Sequence, residues 1–216
     1  MGAASGRGSS HRRGRLIVLA GPSGVGKGAV VARLLSALPD LELSVSATTR
    51  PPRPAEDEGR HYYFVDPDLF TKLVASGGFL EWAEIFGNRY GTPREPVERA
   101  LGEGRDVLVE IDVQGARQVR SSTPDAFMIF LKPPSLAELE RRLLARGTET
   151  DEQVRRRLAK ATDELAAEPE FDASVVNADL ETAAREVIGI VKGLRYHRDL
   201  TTSPDGTANV PKEHPA

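Results

Sequence analysis

Short apolar runs alternate along the chain with stretches in which apolar residues recur at helical spacing. Residues 16–20 (LIVLA), 106–112 (DVLVEID) and 126–131 (AFMIFL) are apolar enough to be buried strands, and residues 173–176 add a shorter one. A helical pattern follows each run, ending with residues 180–196, whose apolar side chains share one face. Strands separated by helices predict an α/β fold, with a parallel sheet covered by helices on both faces.

The segment between residues 42 and 92 departs from this alternation because strand signals dominate it. Asp66 followed by Pro67 is a helix-start signal, since the acid can cap the helix and proline is tolerated in its first turn. The strand-like patterns on either side predict a strand-rich insertion on one side of the sheet. In chain order we predict a half-exposed strand at 41–48, a strand at 62–65, a helix at 66–76, a strand at 79–86, and a turn-rich link at 87–92 leading into a helix at 94–101.

Composition indicates one soluble globular unit. The 216 residues can bury a substantial core, and a net charge of −3 gives no global reason to expect binding to nucleic acid or membranes. The absence of cysteine excludes disulfides and fits the cytoplasm, and no apolar run reaches membrane-spanning length. We expect a disordered tail at residues 1–15, rich in Gly, Ser and Arg, and a loose one at 201–216. The alternatives for the first tail are a basic arm for nucleic acid and a targeting peptide.

The first apolar run leads into residues 21–27 (GPSGVGK), which have the spacing G-x-x-x-x-G-K. A strand before this motif and a helical pattern after it are the context that a phosphate-binding loop requires. Glycines let backbone N–H groups approach phosphate oxygens, the helix N-terminus adds a positive dipole end, and Lys27 adds a full charge. The alternative is a strand–turn–helix connection whose glycines serve only the turn. The predicted contacts of the nucleotide phosphates are Gly21, Pro22, Ser23, Gly24, Val25, Gly26, Lys27 and Gly28.

Two features bear on a predicted Mg²⁺ site. Gly28 stands where Ser or Thr commonly supplies a hydroxyl to Mg²⁺, so the ion would depend more on water, phosphate oxygens and carboxylates elsewhere. Glu110 and Asp112 are two residues apart, so in a strand they project to the same side, beside the loop. The sequence therefore predicts Mg²⁺ at Glu110 and Asp112, directly or through water. Ordinary surface carboxylates at a strand end are the alternative.

A second anion site is predicted at residues 50–54 (RPPRP). Arg50 and Arg53 lie three residues apart on a segment that its prolines stiffen, and guanidinium groups can bind phosphate through two parallel hydrogen bonds. An exposed basic loop with surface ion pairs is the alternative. The phosphate loop elsewhere on the chain favours the anion clamp.

Arginines also recur on both sides of a break at residues 147–150. Arg142 and Arg146 belong to the helix before the break, and Arg157 belongs to a charged helix predicted at 151–167. Helices joined at such a hinge could bring guanidinium charge to a phosphoryl group in transfer. A solvated helix face is the alternative interpretation of these charges.

Taken in order, these motifs resemble the guanylate kinase family from about residue 16 to residue 196. The matching pieces are GPSGVGK, SATTRPPRP, GRHYYFV, FLEWAEIFGNRYGT, EIDVQGA, LKPPS, RRLLARGTE and VVNADL. The resemblance implies transfer of the γ-phosphoryl group of ATP to GMP, and also to dGMP, with Mg²⁺ as cofactor. It also implies a P-loop NTPase-type core (16–45, 93–140 and 168–200), a GMP-binding insertion (46–92) and a helical lid (141–167).

The resemblance also implies roles for single residues. The Glu81 carboxylate would accept hydrogen bonds from N1–H and the exocyclic amine of guanine, an arrangement that adenine cannot supply. Asp112 would lie near GMP and the metal, and Lys27 would neutralise charge on the phosphoryl group in transfer. The other base contacts would be Ser46 and Thr92. The acceptor phosphate would be held by Arg50, Arg53, Tyr62 and Tyr90. From the lid side the site would be closed by Arg142, Arg146 and Arg157, and Asn177 would lie near the adenine of ATP.

Two other functions stay open at this stage. A monophosphate kinase with a different base preference is one, and Glu81 together with Ser46 argues against it. The other is a non-catalytic, guanylate-kinase-like protein-binding domain. Such domains have typically lost the phosphate loop and often the acceptor site, whereas Lys27 and Arg50 are both present here. Gly28 is the one feature in favour of the binding domain. We expect the partners to be the small molecules GMP and ATP, with no nucleic acid and no membrane.

Overall fold

The structure, a computed structural model, describes residues 13–85, 87–145 and 151–200. Apart from residues 13–15, the predicted tails lie outside the described residues, and so do Arg146 and the predicted hinge. The described end of the first tail contacts the fold, because the Gly14 N–H donates to the Leu101 carbonyl at 2.7 Å. The Arg15 N–H also donates to Asp106 Oδ1 at 2.8 Å. Contacts with the fold therefore begin before residue 16, the predicted boundary.

The described elements alternate as the hydrophobic pattern predicts. The strands are β1 (Leu16–Ala20), β2 (Leu41–Leu43), β3 (Ala47–Thr48), β4 (Tyr63–Phe64), β5 (Phe79–Ile85), β6 (Asn88–Pro93), β7 (Asp106–Glu110), β8 (Phe127–Lys132) and β9 (Ala173–Val176). The helices are α1 (Lys27–Ala37), α2 (Pro67–Ala75), α3 (Arg94–Gly102), α4 (Val113–Ser122), α5 (Leu136–Ala145), α6 (Asp151–Leu165) and α7 (Leu180–Leu200), with a 3₁₀ turn at Glu168–Glu170.

The main sheet has five strands in the order β2-β7-β1-β8-β9, and every pairing in it is parallel. Side chains of β1 alternate between its two faces. Ile17 and Leu19 pack with residues of α1 and α7, whereas Leu16 and Val18 pack with residues of α3 and α4. The predicted parallel sheet with helices on both faces is confirmed. No helix of the described residues has the length and apolar character needed to cross a membrane.

The insertion forms a second sheet in the order β4-β3-β6-β5, and it differs from prediction in two places. Residues 41–48, predicted as one strand, form β2 and β3 in two different sheets. The apolar alternation continues across the break and therefore cannot show that the strand partner changes. Residues 87–92, predicted as a link, largely form β6, which pairs antiparallel with β5. This pairing overrides the low strand propensity of Asn, Gly and Pro. Gly87, at φ 75°, lies in the turn between β5 and β6.

Helix caps place functional segments at the carboxyl edge of the main sheet. The loop after β1 leads directly into α1, and Asp112, two residues after β7, caps α4 by accepting from the Gly115 N–H at 2.9 Å. Asp66 caps α2 by accepting from the Leu69 N–H at 2.8 Å, as its position before Pro67 predicts. The N-termini of α1 and α4 therefore lie where strands of a parallel sheet end, which is the usual ligand-binding edge of such folds.

Candidate active site

Residues 21–26 form a tight loop between β1 and α1. Gly21 and Gly26 have φ values of 149° and 99°, which residues with a side chain rarely adopt. A Cβ at Gly21 would also lie 2.1 Å from the Leu131 carbonyl oxygen, so the loop has no room for one. Asn177 is buried and donates from Nδ2 to the Val25 carbonyl at 2.8 Å. Asn177, which the resemblance places near adenine, thus contacts the loop itself and stabilises its conformation.

Lys27 begins α1 and turns its ammonium group back onto the loop. Its Nζ donates to the Gly21 carbonyl at 2.7 Å and to the Pro22 carbonyl at 3.3 Å. Burial lowers the pKa of Lys27, and nearby carboxylates, Glu110 foremost, oppose that shift. The ammonium group is therefore held at the loop by two neutral carbonyls, which an anionic phosphate can displace because hydrogen bonds between charged groups are stronger.

Glu110 ends β7 beside the first turn of α1. Both of its carboxylate oxygens lie 3.8 Å from the position that a Cβ on Gly28 would occupy, so the absent side chain leaves room beside a carboxylate. Burial raises the pKa of Glu110, and the charge of Lys27 opposes that rise. Carboxylate oxygens suit Mg²⁺, which usually completes its shell with water and phosphate oxygens. Glu110 therefore fits such an ion as one carboxylate ligand. The described residues contain no group of three or more His, Cys, Asp or Glu side chains that could hold a metal.

Asp112 makes contacts that the two-residue spacing does not predict. It lies beyond the end of β7, where its Oδ1 serves as the cap of α4 and its Oδ2 lies 3.2 Å from Lys160 Nζ on α6. Lys160 also lies 3.3 Å from Glu164 Oε1, and the Glu164 side chain is 8% exposed. The other carboxylate oxygen of Glu164, Oε2, has no hydrogen-bond partner in the described part of the chain. Sequence analysis did not identify Lys160 and Glu164, although their helical spacing of four residues is typical of an ion pair.

Glu81 and Thr92 face each other on the paired strands β5 and β6. Thr92 Oγ1 donates to Glu81 Oε1 at 2.6 Å, and both residues are buried. Burial raises the pKa of Glu81, the hydrogen bond from Thr92 opposes the rise, and the negative charge of Asp112 adds to it. A buried carboxylate with one fixed donor keeps acceptor capacity for the N–H groups of a ligand.

Arg50 is held in place by Glu56, which sequence analysis did not identify. The two terminal nitrogens of Arg50 donate to the two carboxylate oxygens of Glu56, both at 2.9 Å. The guanidinium carbon lies 5.3 Å from the ring centroid of Tyr62, and the ring of Tyr90 lies 6.1 Å from that of Tyr62. The hydrogen bonds from Arg50, and secondarily from the Arg53 N–H, lower the pKa of Glu56 to about 2. Arg50, Tyr62 and Tyr90 thus come together, whereas Arg53 joins them through its backbone and its side chain is exposed.

One cavity of about 340 Å³ connects the phosphate loop with the insertion. It brings together predicted residues from three segments that are far apart in the sequence. Thr92 does not line the cavity, but its hydroxyl group donates a hydrogen bond to Glu81, which does. The predicted site residues that line the cavity are Lys27, Ser46, Tyr62, Glu81, Tyr90, Glu110 and Asp112.

Of the predicted lid residues, Arg142 on α5 reaches the phosphate loop. It donates to the Asn177 carbonyl at 2.9 Å and to the Val25 carbonyl at 3.4 Å. Glu138, one turn earlier on α5, accepts from Arg142 Nε at 2.8 Å and so orients the guanidinium group. Arg157 lies on α6 and is half-buried.

Comparisons with known proteins agree over most of the chain. The family model described as guanylate kinase matches residues 13–193. The guanylate kinase of Synechococcus sp. (strain CC9902) is 60% identical over 174 residues, which cover 81% of this chain and 93% of that protein. The guanylate kinase of Streptomyces kasugaensis is 56% identical over 189 residues, covering 88% of this chain and 92% of that protein. The crystal structure of guanylate kinase from Anaplasma phagocytophilum matches with a TM-score of 0.66 at 34% identity, covering 85% and 87% of the two chains.

Proposed function

The chain belongs to the guanylate kinase family, and from this premise we propose how its residues share in phosphoryl transfer. The enzyme is an ATP:GMP phosphotransferase, which converts ATP and GMP to ADP and GDP. The assignment of roles rests above all on one cavity, which Lys27, Tyr62 and Glu81 line together. A donor phosphate at the loop and an acceptor nucleotide at the insertion would meet in that cavity.

The donor site is the loop at residues 21–27 with Lys27. Backbone N–H groups at the start of α1 hold the terminal phosphates of ATP, and Lys27 leaves the carbonyls of Gly21 and Pro22 to bind the phosphoryl oxygens. Arg142, oriented by Glu138, supplies a second positive charge from the lid side. The roles of Arg146 and Arg157 stay predictions from the sequence.

The acceptor phosphate is bound by Arg50 with Tyr62 and Tyr90. Glu56 orients the Arg50 guanidinium before the substrate arrives, so the Arg50 side chain loses less conformational entropy on binding. Arg53 is close enough in sequence to complete the clamp once its exposed side chain turns inward. The guanine base meets Glu81, which accepts from N1–H and the exocyclic amine, with Ser46 and Thr92 beside it. A base that leaves this buried carboxylate unpaired binds less well, so the same contact gives specificity.

Mg²⁺ is proposed to lie beside Glu110, with Asp112 contributing directly or through water. Glu110 and Asp112 would hold the ion, and it would supply positive charge to the phosphates during transfer. The acceptor oxygen of GMP is already anionic at neutral pH, so the protein needs no general base. Its own residues position the two phosphates in line, neutralise charge, and exclude water as α5 and α6 close over the cavity.

The test is a coupled assay of ADP formation from ATP with GMP, dGMP, AMP, UMP or CMP as acceptor. We expect turnover with GMP, and with dGMP since no assigned contact requires the 2′-hydroxyl, and much slower turnover with the other three. Equal turnover with AMP would contradict the role of Glu81, and ADP formation that is independent of any acceptor would contradict the transfer itself. Lack of binding to nucleic acid and a cytoplasmic location stay predictions from the sequence.

A further inference from the structure

The outer edge of β5 is closed by a glutamine side chain and not by another strand. Among the described residues β5 is the last strand of the insertion sheet, so no described strand pairs with its outward backbone groups. The Trp82 N–H donates to Gln118 Oε1 at 3.1 Å, and Gln118 Nε2 donates to the Trp82 carbonyl at 2.8 Å. The carboxamide of Gln118, on α4, thus imitates the peptide group of a neighbouring strand and joins the insertion to the core.

The same helix also sets the space around the Glu81 carboxylate. A Cβ on Gly115 would lie 2.8 Å from Glu81 Oε2 and 3.3 Å from its carboxyl carbon. No real Cβ approaches an oxygen that closely, so the carboxylate can occupy its position only because residue 115 is glycine. Gly115 lies within α4 and its backbone is not left-handed, so alanine would fit the helix itself. The reason for glycine here is the neighbouring carboxylate and not the backbone.

We propose that Gln118 and Gly115 are positioning residues for guanine recognition, which together fix the Glu81 carboxylate relative to α4. The inference rests on the proposed role of Glu81 as the group that reads the base. Glu81 and Trp82 are adjacent in β5. The two hydrogen bonds between Gln118 and Trp82 therefore fix the backbone directly beside the Glu81 carboxylate. Thr92 fixes one carboxylate oxygen from β6, and the helix backbone at Gly115 limits the other. Asp112 caps the same helix, so α4 positions both the Glu81 carboxylate at the proposed base site and Asp112 near the proposed site of phosphoryl transfer.

The test measures kcat and KM for GMP and for IMP, which lacks the exocyclic amine, in Gly115→Ala and Gln118→Glu. Gly115→Ala displaces the carboxylate, and Gln118→Glu sets an oxygen against the Trp82 carbonyl while keeping the side-chain shape. A displacement of about 1 Å can cost up to about 100-fold. We expect kcat/KM for GMP to fall at least about tenfold in each variant, with the GMP-to-IMP preference reduced and KM for ATP nearly unchanged.

Two matched controls separate positioning from general damage. Gly189→Ala places a methyl group in open space on α7, and Gln114→Glu changes an exposed glutamine one turn earlier on α4. Both should keep the wild-type GMP-to-IMP preference. Equal losses toward GMP and IMP in Gly115→Ala and Gln118→Glu, or no loss in either, would overturn the proposal. A wild-type enzyme that uses GMP and IMP equally would instead contradict the role of Glu81, so the two failures are distinguishable.

Discussion

Replacement of Glu81 by glutamine tests the assigned base site most directly. Glu81→Gln keeps the shape of the side chain and an oxygen that can accept from Thr92 Oγ1, now 2.6 Å from Glu81 Oε1. It removes the negative charge and turns one of two acceptors into a donor. Guanine offers two donors on this edge, so the variant would set an N–H₂ group against an N–H group.

The magnitude follows from the hydrogen bonds that change. Two hydrogen bonds to a carboxylate contribute about 3–6 kcal/mol, whereas one neutral hydrogen bond contributes about 1 kcal/mol. The difference of about 2–5 kcal/mol corresponds to a loss of about 30-fold to about 5,000-fold in kcat/KM for GMP. On the corresponding edge adenine offers an acceptor, N1, and no amine, so the glutamine amide can donate to N1 and the relative activity with AMP should rise.

The coupled ADP assay with GMP, IMP and AMP measures these changes, with KM for ATP as an internal reference. Glu84→Gln is the matched control, because Glu84 lies on the same strand and is exposed. It should leave all constants near the wild-type values. If Glu81→Gln retained the wild-type ratio of GMP to AMP turnover, the carboxylate would have no part in reading the base.

The same variant has an expected effect on stability. Burial raises the folded-state pKa of Glu81 above its ordinary value of 4.5, so the folded protein holds this proton more tightly than the unfolded chain does. The stability associated with that proton is fully present below pH 4.5 and is lost as the pH rises through the folded-state pKa. Glu81→Gln cannot undergo this loss. Urea unfolding should therefore show that the stability of the variant relative to wild type increases between pH 4.5 and neutral pH, and a decrease would contradict the burial argument.

Three further predictions concern the loop, the arginine clamp and the fold. Lys27→Ala should lower kcat by about 10²–10³-fold with unchanged thermal unfolding. The control Lys72→Ala, at an exposed position, should leave kcat unchanged. Near-normal turnover of Lys27→Ala would show that Lys27 has no part in the donor site. Glu56→Gln should raise KM for GMP by releasing Arg50. Because the pKa of Glu56 is about 2, its stabilising contribution is present above pH 4.5 and is lost as the pH falls toward 2, a dependence that urea unfolding should find weakened in the variant. Asp106→Ala should lower the free energy of unfolding by about 2–4 kcal/mol, since it breaks a pair in which Asp106 is 3% exposed. Asp40→Ala removes a 75% exposed partner of the same Arg195 and should cost under about 1 kcal/mol, so similar losses would refute the burial argument.

Local patterns sufficed for the main sheet and the phosphate loop. The spacing G-x-x-x-x-G-K between an apolar run and a helical pattern identifies the loop because its glycine turn and the contact of Lys27 with the Gly21 carbonyl are made within a few residues. The bounds predicted for the strand at residues 173–176 match β9 for the same reason, since a short apolar run between turns has one favourable environment. The role of Glu81 came from the ordered set of motifs, whereas Arg50 was predicted to bind an anion from the spacing of two arginines on a proline-stiffened segment. Periodicity indicated neither role.

Only the tertiary structure decided which distant segments meet. The strand β6 exists because β5 and β3 pair with it, although its own residues favour turns. Gln118 bonds the edge of β5 at Trp82 through a contact that depends on packing of the insertion against α4. Hydrophobic periodicity reports which face of an element is buried, but it carries no information about its partner. The sequence by itself therefore determined the glycine loop and the layers of the fold, whereas the packing that brings Tyr62 and Glu81 into one cavity with Lys27 required contacts between distant segments.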